Sequence, residues 1–244
     1  MSIPVRIAMW SGPRNISTAM MRSWENRPDS CVVDEPFYAC YLSETGLAHP
    51  CREAILASQS TDRARVVRQL SRDPFPAQVF YQKHMTHHMP RGMDMSWCRE
   101  LRHCFLVRDP AEIIASYLQK MPSVSEDDIG IVRQAELFDE IGGVCGQAPL
   151  LVDARAVLQD PAGVLAALCD RWELPRHAEQ MLHWPKGRRD SDGAWASHWY
   201  QAVEASTGFA PYRKRVPALH EDHRELAERM DGIYRQLLCH RLAT

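Results

Sequence analysis

The sequence predicts an α/β fold: a single three-layer domain over residues 1–244, with a mostly parallel sheet and helices on both of its faces. Two observations support this prediction. Short apolar runs suited to buried strands alternate with stretches of helical periodicity, and no internal repeat or linker interrupts them. A hydrophobic share of 45% in 244 residues is sufficient for a sizeable core. In such a fold, a ligand is expected beyond the C-terminal ends of the strands.

Residues 5–24 predict a strand, a short loop and a helix in that order. A nearly continuous apolar run at residues 5–10 predicts a parallel strand that is buried on both faces. Ser17 and Thr18 are good N-cap residues and predict the start of a helix, which should end near Pro28. A strand that turns sharply into a helix directs unpaired N–H groups to one point, which favours an anion site. An ordinary connection between two elements would have the same sequence features.

The next segments continue the alternation. Residues 31–33 predict a second strand, and Glu35 lies at its C-terminal end. The periodicity of residues 51–72 predicts one or two amphipathic helices. Residues 78–82 predict a third strand that runs into the basic segment 83–88.

The fourth strand is predicted at residues 102–107 and is followed at once by a well-specified helix. Asp109 is a natural N-cap, Pro110 suits the first helical position, and Glu112 lies three residues after the cap. The helix is therefore expected over residues 111–119.

The second half of the chain adds four more elements. We expect a helix over residues 126–141, a fifth strand at 149–152, a helix over 161–172 and a final amphipathic helix over 220–240. Three aromatic residues recur at helical spacing and predict a core stripe, with the wall of a binding pocket as the alternative: Trp195, Trp199 and Tyr200.

Composition excludes several classes of protein. A formal charge of −2 argues against bulk electrostatic binding to nucleic acid or to an anionic membrane. No apolar run is long enough for a membrane span, and the N-terminal residues contain no apolar signal region. The eight cysteines are irregularly spaced, which favours reduced thiols over disulfides or a zinc site. We therefore expect a cytoplasmic protein without a metal ion.

Cations and hydroxyl donors occur in three separated segments. Arg14 lies in the loop after the first strand, close to Ser17 and Thr18. Arg108 follows the fourth strand, with Ser116 eight residues later. A late basic loop contains Lys186, Gly187 and Arg188. Any one segment could be a solvated loop, but all three together favour a ligand with two separated phosphate-like groups.

The first two segments resemble motifs of sulfotransferases that use 3′-phosphoadenosine 5′-phosphosulfate (PAPS). Arg108 and Ser116 match in type and spacing the residues with which that family holds the 3′-phosphate. One loop is similar to the family's 5′-phosphosulfate-binding loop and comprises Pro13, Arg14, Asn15, Ile16, Ser17 and Thr18. Within it, Arg14 stands where cytosolic members have lysine, and Ile16 stands where glycine is usual.

The third segment and the order of all three extend the resemblance over most of the chain. Lys186 and Gly187, followed by Gly193 and Trp195, are similar to the family's late basic loop, which closes over the same phosphate and would here include Arg188. The resemblance implies a P-loop nucleoside-triphosphate-hydrolase-like fold. It also implies transfer of a sulfuryl group from PAPS to a hydroxyl or amine of a small-molecule acceptor, with 3′-phosphoadenosine 5′-phosphate (PAP) as product and no metal ion.

The resemblance offers more than one candidate for the base that takes the acceptor's proton. Glu35 lies where some sulfotransferases carry a glutamate base, and we favour it. His84 follows Lys83 at the end of the third strand, near the position of the histidine base of cytosolic members, and His88 is an alternative match. Arg14 would supply positive charge to the leaving phosphate.

Two other functions compete with this interpretation. The first is a P-loop kinase or nucleotidase, which is disfavoured because the sequence has no GxxxxGK[ST] motif. The second is a nucleotide-binding module on the same fold without catalytic activity.

Overall fold

Five parallel strands form the central sheet of the computed structural model, which describes residues 4–213 and 218–243. The strands are β1 (Val5–Ser11), β2 (Ser30–Asp34), β3 (Val79–Met85), β4 (Arg102–Val107) and β5 (Leu150–Asp153). They lie in the order β2-β3-β1-β4-β5, and every pairing between them is parallel. The predicted α/β fold with a mostly parallel sheet is confirmed. Residues 1–3, 214–217 and 244 of the predicted 1–244 domain lie outside the described residues.

Helices connect the strands and cover the sheet. They are α1 (Ser17–Glu25), α2 (Tyr38–Thr45), α3 (Arg52–Ser58), α4 (Arg63–Ser71), α5 (Pro110–Tyr117), α6 (Glu126–Ile129), α7 (Ile131–Cys145), α8 (Ala154–Gln159), α9 (Pro161–Arg171), α10 (Ala178–Leu182), α11 (Ala196–Trp199), α12 (Gln201–Glu204) and α13 (Glu221–Leu238). Among the described residues, no helix is both long and apolar enough to cross a membrane.

The apolar residues of β1 divide between two cores, one on each face of the sheet. Ala8 and Trp10 join a cluster with residues of α7 and α13, whereas Ile7 and Met9 join a cluster with residues of α1 and α9. All four side chains are completely buried. This division follows from the two-residue period of a strand, and it explains why the apolar run in the sequence is continuous.

Two predicted elements differ from the structure by more than a small shift of their ends. The helix expected over residues 126–141 is interrupted at Gly130, whose φ of 72° ends α6 and precedes α7. The third strand continues past Gln82 to Met85, because β3 keeps its parallel pairing with β1 as far as Ser11. As a result, Lys83 and His84 are both strand residues and point to opposite faces of the sheet.

The predicted N-cap of the first helix is wrong. Ile16 is the N-cap of α1, Ser17 is the first helical residue, and no side chain caps this end. The reason is the path of the preceding loop, in which Arg14 and Ile16 both have positive φ, at 57° and 28°. This sharp turn starts the helix one residue before the hydroxyl side chains, so that its N-terminal N–H groups have no side-chain acceptor.

The N-cap of α5 is confirmed. The carboxylate of Asp109 accepts hydrogen bonds from the backbone N–H groups of Ala111 and Glu112, at 2.9 and 3.4 Å, and Pro110 occupies the first turn. This cap fixes the start of the helix that carries Ser116.

Replacement of Asp109 by alanine should lower the free energy of unfolding by about 1 kcal/mol, because two N–H groups of α5 lose their acceptor. Urea denaturation followed by circular dichroism measures this loss. Asp109→Asn keeps an acceptor oxygen and serves as the control, with a smaller expected effect. An Asp109→Ala protein as stable as the wild type would contradict the capping role.

Candidate active site

A cavity of about 990 Å³ lies at the C-terminal ends of four strands. Its lining comes from the segments that follow β1, β2 and β4 and from the end of β3. Most of the residues singled out in the sequence line it together: Pro13, Arg14, Asn15, Ile16, Ser17, Thr18, Glu35, Arg108 and Ser116. The fold thus brings the first two cationic segments and one candidate base to a single site.

The loop after β1 and the segment after β4 contact each other directly. Nε of Arg14 donates a hydrogen bond to Oγ of Ser116 at 3.1 Å, and Nη1 of Arg108 donates to the backbone oxygen of Arg14 at 2.7 Å. Asn15 donates through Nδ2 to the backbone oxygen of Leu106 at 2.5 Å. These three bonds hold the loop against β4 and α5.

Arg14 is a half-buried cation that has no carboxylate partner among the described residues. Burial and the nearby Arg108 guanidinium together lower the pKa of Arg14. Arg108 also contacts Glu112, with Nε 3.0 Å from Oε2. Two guanidinium groups close to the uncapped N-terminus of α1 are an arrangement that favours an anion.

Glycine residues allow the loop to pack closely on the α6–α7 junction. A Cβ atom at Gly130 would lie 3.2 Å from Cδ of Pro13, and one at Gly12 would lie 3.0 Å from the backbone oxygen of Ile129. The absence of both side chains therefore brings the wall formed by α6 against the loop after β1.

Glu35 takes part in a buried cluster of charges at the end of β2. The ammonium group of Lys83 donates to Oε1 of Glu35 at 2.5 Å, to Oδ1 of Asp34 at 2.8 Å and to the hydroxyl oxygen of Tyr200 at 2.8 Å. The Tyr200 hydroxyl donates to Oδ2 of Asp34 at 2.7 Å and accepts from Nε1 of Trp195 at 3.0 Å. All three protons of the ammonium group are therefore satisfied, although Lys83 is only 1% exposed.

This cluster sets the proton affinity of Glu35. Burial raises the pKa of Glu35 to about 7, because Lys83, which opposes this rise, is shared with Asp34. The two carboxylates together hold the pKa of Lys83 well above its ordinary value despite burial. Glu35 is therefore a cavity-lining carboxyl group that titrates near neutral pH, which suits a general base.

His84 occupies the opposite face of the sheet and does not line the cavity. Its ring stacks on Trp10 at 4.3 Å and packs near Phe37, and its Nε2 lies 3.1 Å from Oε1 of Gln82. Burial lowers the pKa of His84 to about 3. The sequence made His84 an alternative candidate for the base, but the strand alternation that turns Lys83 toward the cavity turns His84 into the core.

His88 lies behind Glu35 and does not line the cavity either. Its Nε2 is 4.0 Å from Oε2 of Glu35, and its ring stacks on Tyr38 at 4.4 Å. Neither ring nitrogen has a hydrogen-bond partner among the described residues. Burial keeps its pKa well below the ordinary value, so the ring is neutral at pH 7.

The structure does not bring the late basic loop to the cavity, since Lys186, Gly187 and Arg188 are absent from its lining. The N–H group of Gly187 donates to the backbone oxygen of Glu204 at 2.8 Å. Asp192 holds the end of this loop on α1 through a buried ion pair with Arg22 at 2.6 Å. The basic motif at residues 186–188 could not predict this ion pair, because its partner Arg22 lies far away in the sequence.

The described residues after this loop line the cavity instead. The three aromatic residues predicted as a core stripe all lie at the cavity: Trp195 and Tyr200 are also buried in an apolar cluster with Tyr38, and Trp199 packs against that cluster. Sequence analysis missed Asp34, Lys83 and Tyr200 as a unit. Lys83 was marked only by its place after a strand, and no local signal linked it to Tyr200.

No group of three or more His, Cys, Asp or Glu side chains within residues 4–213 and 218–243 is arranged to hold a metal ion.

Tyr200→Phe should lower the free energy of unfolding by about 1–3 kcal/mol, because Asp34, Lys83 and Trp195 would each lose a buried hydrogen-bond partner. Chemical denaturation measures the change. The matched control is Tyr212→Phe, since the hydroxyl of Tyr212 has no hydrogen bond with the described part of the chain. Equal effects of the two substitutions would contradict the role given to Tyr200.

Two known plant proteins are similar in sequence to this chain. Branched-chain-amino-acid aminotransferase-like protein 2 of Arabidopsis thaliana is 32% identical over 234 residues, which are 96% of this chain and 41% of that protein. Branched-chain-amino-acid aminotransferase-like protein 1 of the same plant is 32% identical over 240 residues, which are 98% of this chain and 43% of that protein. The chain thus spans about two fifths of the length of these relatives.

Sulfotransferases are among the solved structures with a similar fold. One from Alicyclobacillus acidocaldarius superposes with a TM-score of 0.57 at 11% identity, covering 99% of this chain and 97% of that one. The mouse sulfotransferase SULT7A1, solved in complex with PAP, gives a TM-score of 0.51 at 10% identity, covering 96% and 84%. The family model of the sulfotransferase domain matches residues 5–235. The chain therefore belongs to the sulfotransferase domain family.

Proposed function

We propose that this chain transfers a sulfuryl group from PAPS to a hydroxyl group of a small molecule. One observation carries the proposal: Arg14 and Arg108 meet beside the uncapped N-terminus of α1, in the same cavity as the buried carboxyl group of Glu35. The site therefore combines groups for a strongly anionic donor with a base. Membership of the sulfotransferase domain family supports the same reaction.

The residues present fit a nucleotide with two phosphate-like groups. Arg14 is a half-buried cation without a carboxylate partner among the described residues, and an anion would supply that partner. We assign Arg14, Ser17 and Thr18 to the phosphosulfate end, and Arg108 with Ser116 to the 3′-phosphate. The hydrogen bond from Arg14 to Ser116 connects the residues assigned to the phosphosulfate end with those assigned to the 3′-phosphate.

The reaction requires a proton to leave the acceptor as its oxygen attacks sulfur. When bound, PAPS supplies the sulfuryl group: the bond from acceptor oxygen to sulfur forms, the bond from sulfur to the 5′-phosphate oxygen breaks, and PAP departs with that electron pair. Glu35 accepts the hydroxyl proton at Oε2, because Oε1 is held by Lys83. Arg14 stabilises the negative charge that develops on the 5′-phosphate.

The sequence disfavours the competing kinase activity, because Ile16 precedes Ser17 where the kinase motif requires lysine. A nucleotide-binding module without catalytic activity would keep the arginines and lose turnover, so the experiments below separate it from an enzyme. We do not propose aminotransferase activity, since the sulfotransferase domain accounts for residues 5–235.

Calorimetry with PAP and with adenosine 5′-monophosphate tests the nucleotide site. The wild type should bind PAP more tightly, and Arg108→Ala should weaken PAP binding by about ten- to a hundredfold while changing the monophosphate little, because a charge-assisted pair is lost. Arg65→Ala is the matched control, because Arg65 is exposed and lies outside the cavity lining, and it should bind both ligands as the wild type does. Failure of the wild type to bind PAP would refute the proposal.

Glu35→Gln should lower kcat by about two to four orders of magnitude, because the amide cannot accept the proton. Since the ionised form of Glu35 is the base and its pKa is about 7, kcat/KM of the wild type should rise with pH below 7 and level off above it. His84→Phe, which keeps an aromatic ring in the core, should retain turnover. Loss of activity in His84→Phe but not in Glu35→Gln, with both proteins folded, would reverse the assignment.

A further inference from the structure

The charges that line the cavity are unevenly distributed. Outside the donor end formed by Arg14 and Arg108, each lining cation is already paired with a carboxylate. Lys83 contacts Asp34 and Glu35, as described above. Arg91 contacts Glu136 through Nε at 2.8 Å, and Arg133 contacts Glu140 through Nη1 at 2.7 Å.

The wall at α6 carries two carboxylates, Asp127 and Asp128, that form no ion pair with the described part of the chain, whereas Glu126 beside them lies 3.9 Å from Arg229. The Asp127 side chain accepts no hydrogen bond from the described residues, and the pKa of Arg91, raised chiefly by its partner Glu136, is raised further by the charge of Asp127. Asp128 accepts only from neutral groups: the N–H and hydroxyl of Ser125, and the Tyr117 hydroxyl at 2.8 Å. Burial would raise the pKa of Asp128, but these hydrogen bonds outweigh burial and lower it, so the group is ionised at pH 7.

Two aromatic residues that line the cavity, Tyr117 and Tyr41, interact with these carboxylates, and the Tyr117 hydroxyl donates to Asp128 at 2.8 Å. Burial raises the pKa of Tyr41, and the negative charges of Asp127 and Asp128 raise it further, which shows that both act on this ring. The Tyr41 ring is 5.4 Å from that of His87. Burial lowers the pKa of His87 to about 4, so this ring contributes no positive charge at neutral pH.

Two polar atoms of this half of the cavity lack a partner among the described residues. Nδ1 of His87 is buried without a hydrogen bond. Glu35 is 8% exposed and lines the cavity, and its Oε2 accepts no hydrogen bond from the described residues; Nε2 of His88 lies 4.0 Å from it. A buried ring nitrogen and a cavity-facing carboxylate oxygen without partners favour a polar group in the space beside them.

We propose that the acceptor is an alcohol that also carries a cationic ammonium group, which binds against Tyr41, Asp127 and Asp128 while its hydroxyl faces Glu35. This inference rests on the proposed function and names the substrate class of the same site. Tyrosine faces and nearby carboxylates are the groups that recognise quaternary and protonated amines.

The chemistry of the wall also favours oxygen over nitrogen as the attacking atom. Carboxylates raise the pKa of a neighbouring amine and keep it protonated, so that its nitrogen has no lone pair for attack on sulfur. A hydroxyl group remains nucleophilic once Glu35 accepts its proton. The cation therefore serves binding, and the hydroxyl group serves the reaction.

A pair of isosteric alcohols tests the charge alone: choline and 3,3-dimethylbutan-1-ol, in which carbon replaces the cationic nitrogen. With saturating PAPS, kcat/KM should be about tenfold or more higher for choline. Asp127→Asn should reduce this preference about three- to fivefold, chiefly through KM for choline, as for loss of one partly exposed charge. Asp139→Asn is the matched control, because Asp139 is exposed and lies outside the cavity lining.

Calorimetry of the PAP complex with each alcohol provides a second readout that does not depend on turnover. Tighter binding of choline, weakened in Asp127→Asn but not in Asp139→Asn, supports the proposal. Equal or weaker binding of choline, or binding of neither alcohol, overturns it even where PAP binds normally. Failure of PAP to bind would instead refute the proposed function, so the two failures are distinguishable.

Discussion

The site depends on one buried cation, the ammonium group of Lys83 between Asp34 and Glu35. Burial of an unpaired ammonium group would cost several kcal/mol, and each carboxylate would face a similar penalty alone. The three charges and the Tyr200 hydroxyl satisfy one another, so that the ends of β2 and β3 and the segment after α11 are held at one point. Glu35 shares the positive charge of Lys83 with Asp34, so this attraction offsets only part of the penalty for burying the ionised carboxylate. The pKa of Glu35 therefore lies near 7.

Local sequence signals predicted most of the fold. The continuous apolar run at β1 indicated a strand buried on both faces, and Asp109 with Pro110 indicated the start of α5. The meeting of the first two cationic segments at one cavity also agrees with the sequence, because each segment follows a parallel strand and the C-terminal ends of such strands lie at the same edge of the sheet. Such features depend on residues close together in the chain.

The features that sequence analysis did not predict depend on distant contacts. The direction of His84 follows from where β3 ends, which the pairing with β1 decides and not the residues near His84. The late basic loop is held away from the cavity by the Arg22–Asp192 ion pair, which joins residues 170 positions apart. Tyr200 reaches Lys83 across 117 positions, and its sequence neighbourhood contains no sign of that contact.

The close packing at Gly12 and Gly130 has a consequence for how proteins with this site can diversify. A side chain at either glycine would push the α6–α7 junction away from the loop after β1. Residues 126–128, by contrast, present their side chains to the cavity from a short helix that precedes this contact. Under the proposed function, acceptor preference can therefore change through these three positions without a change in the loop after β1, provided that both glycines are retained.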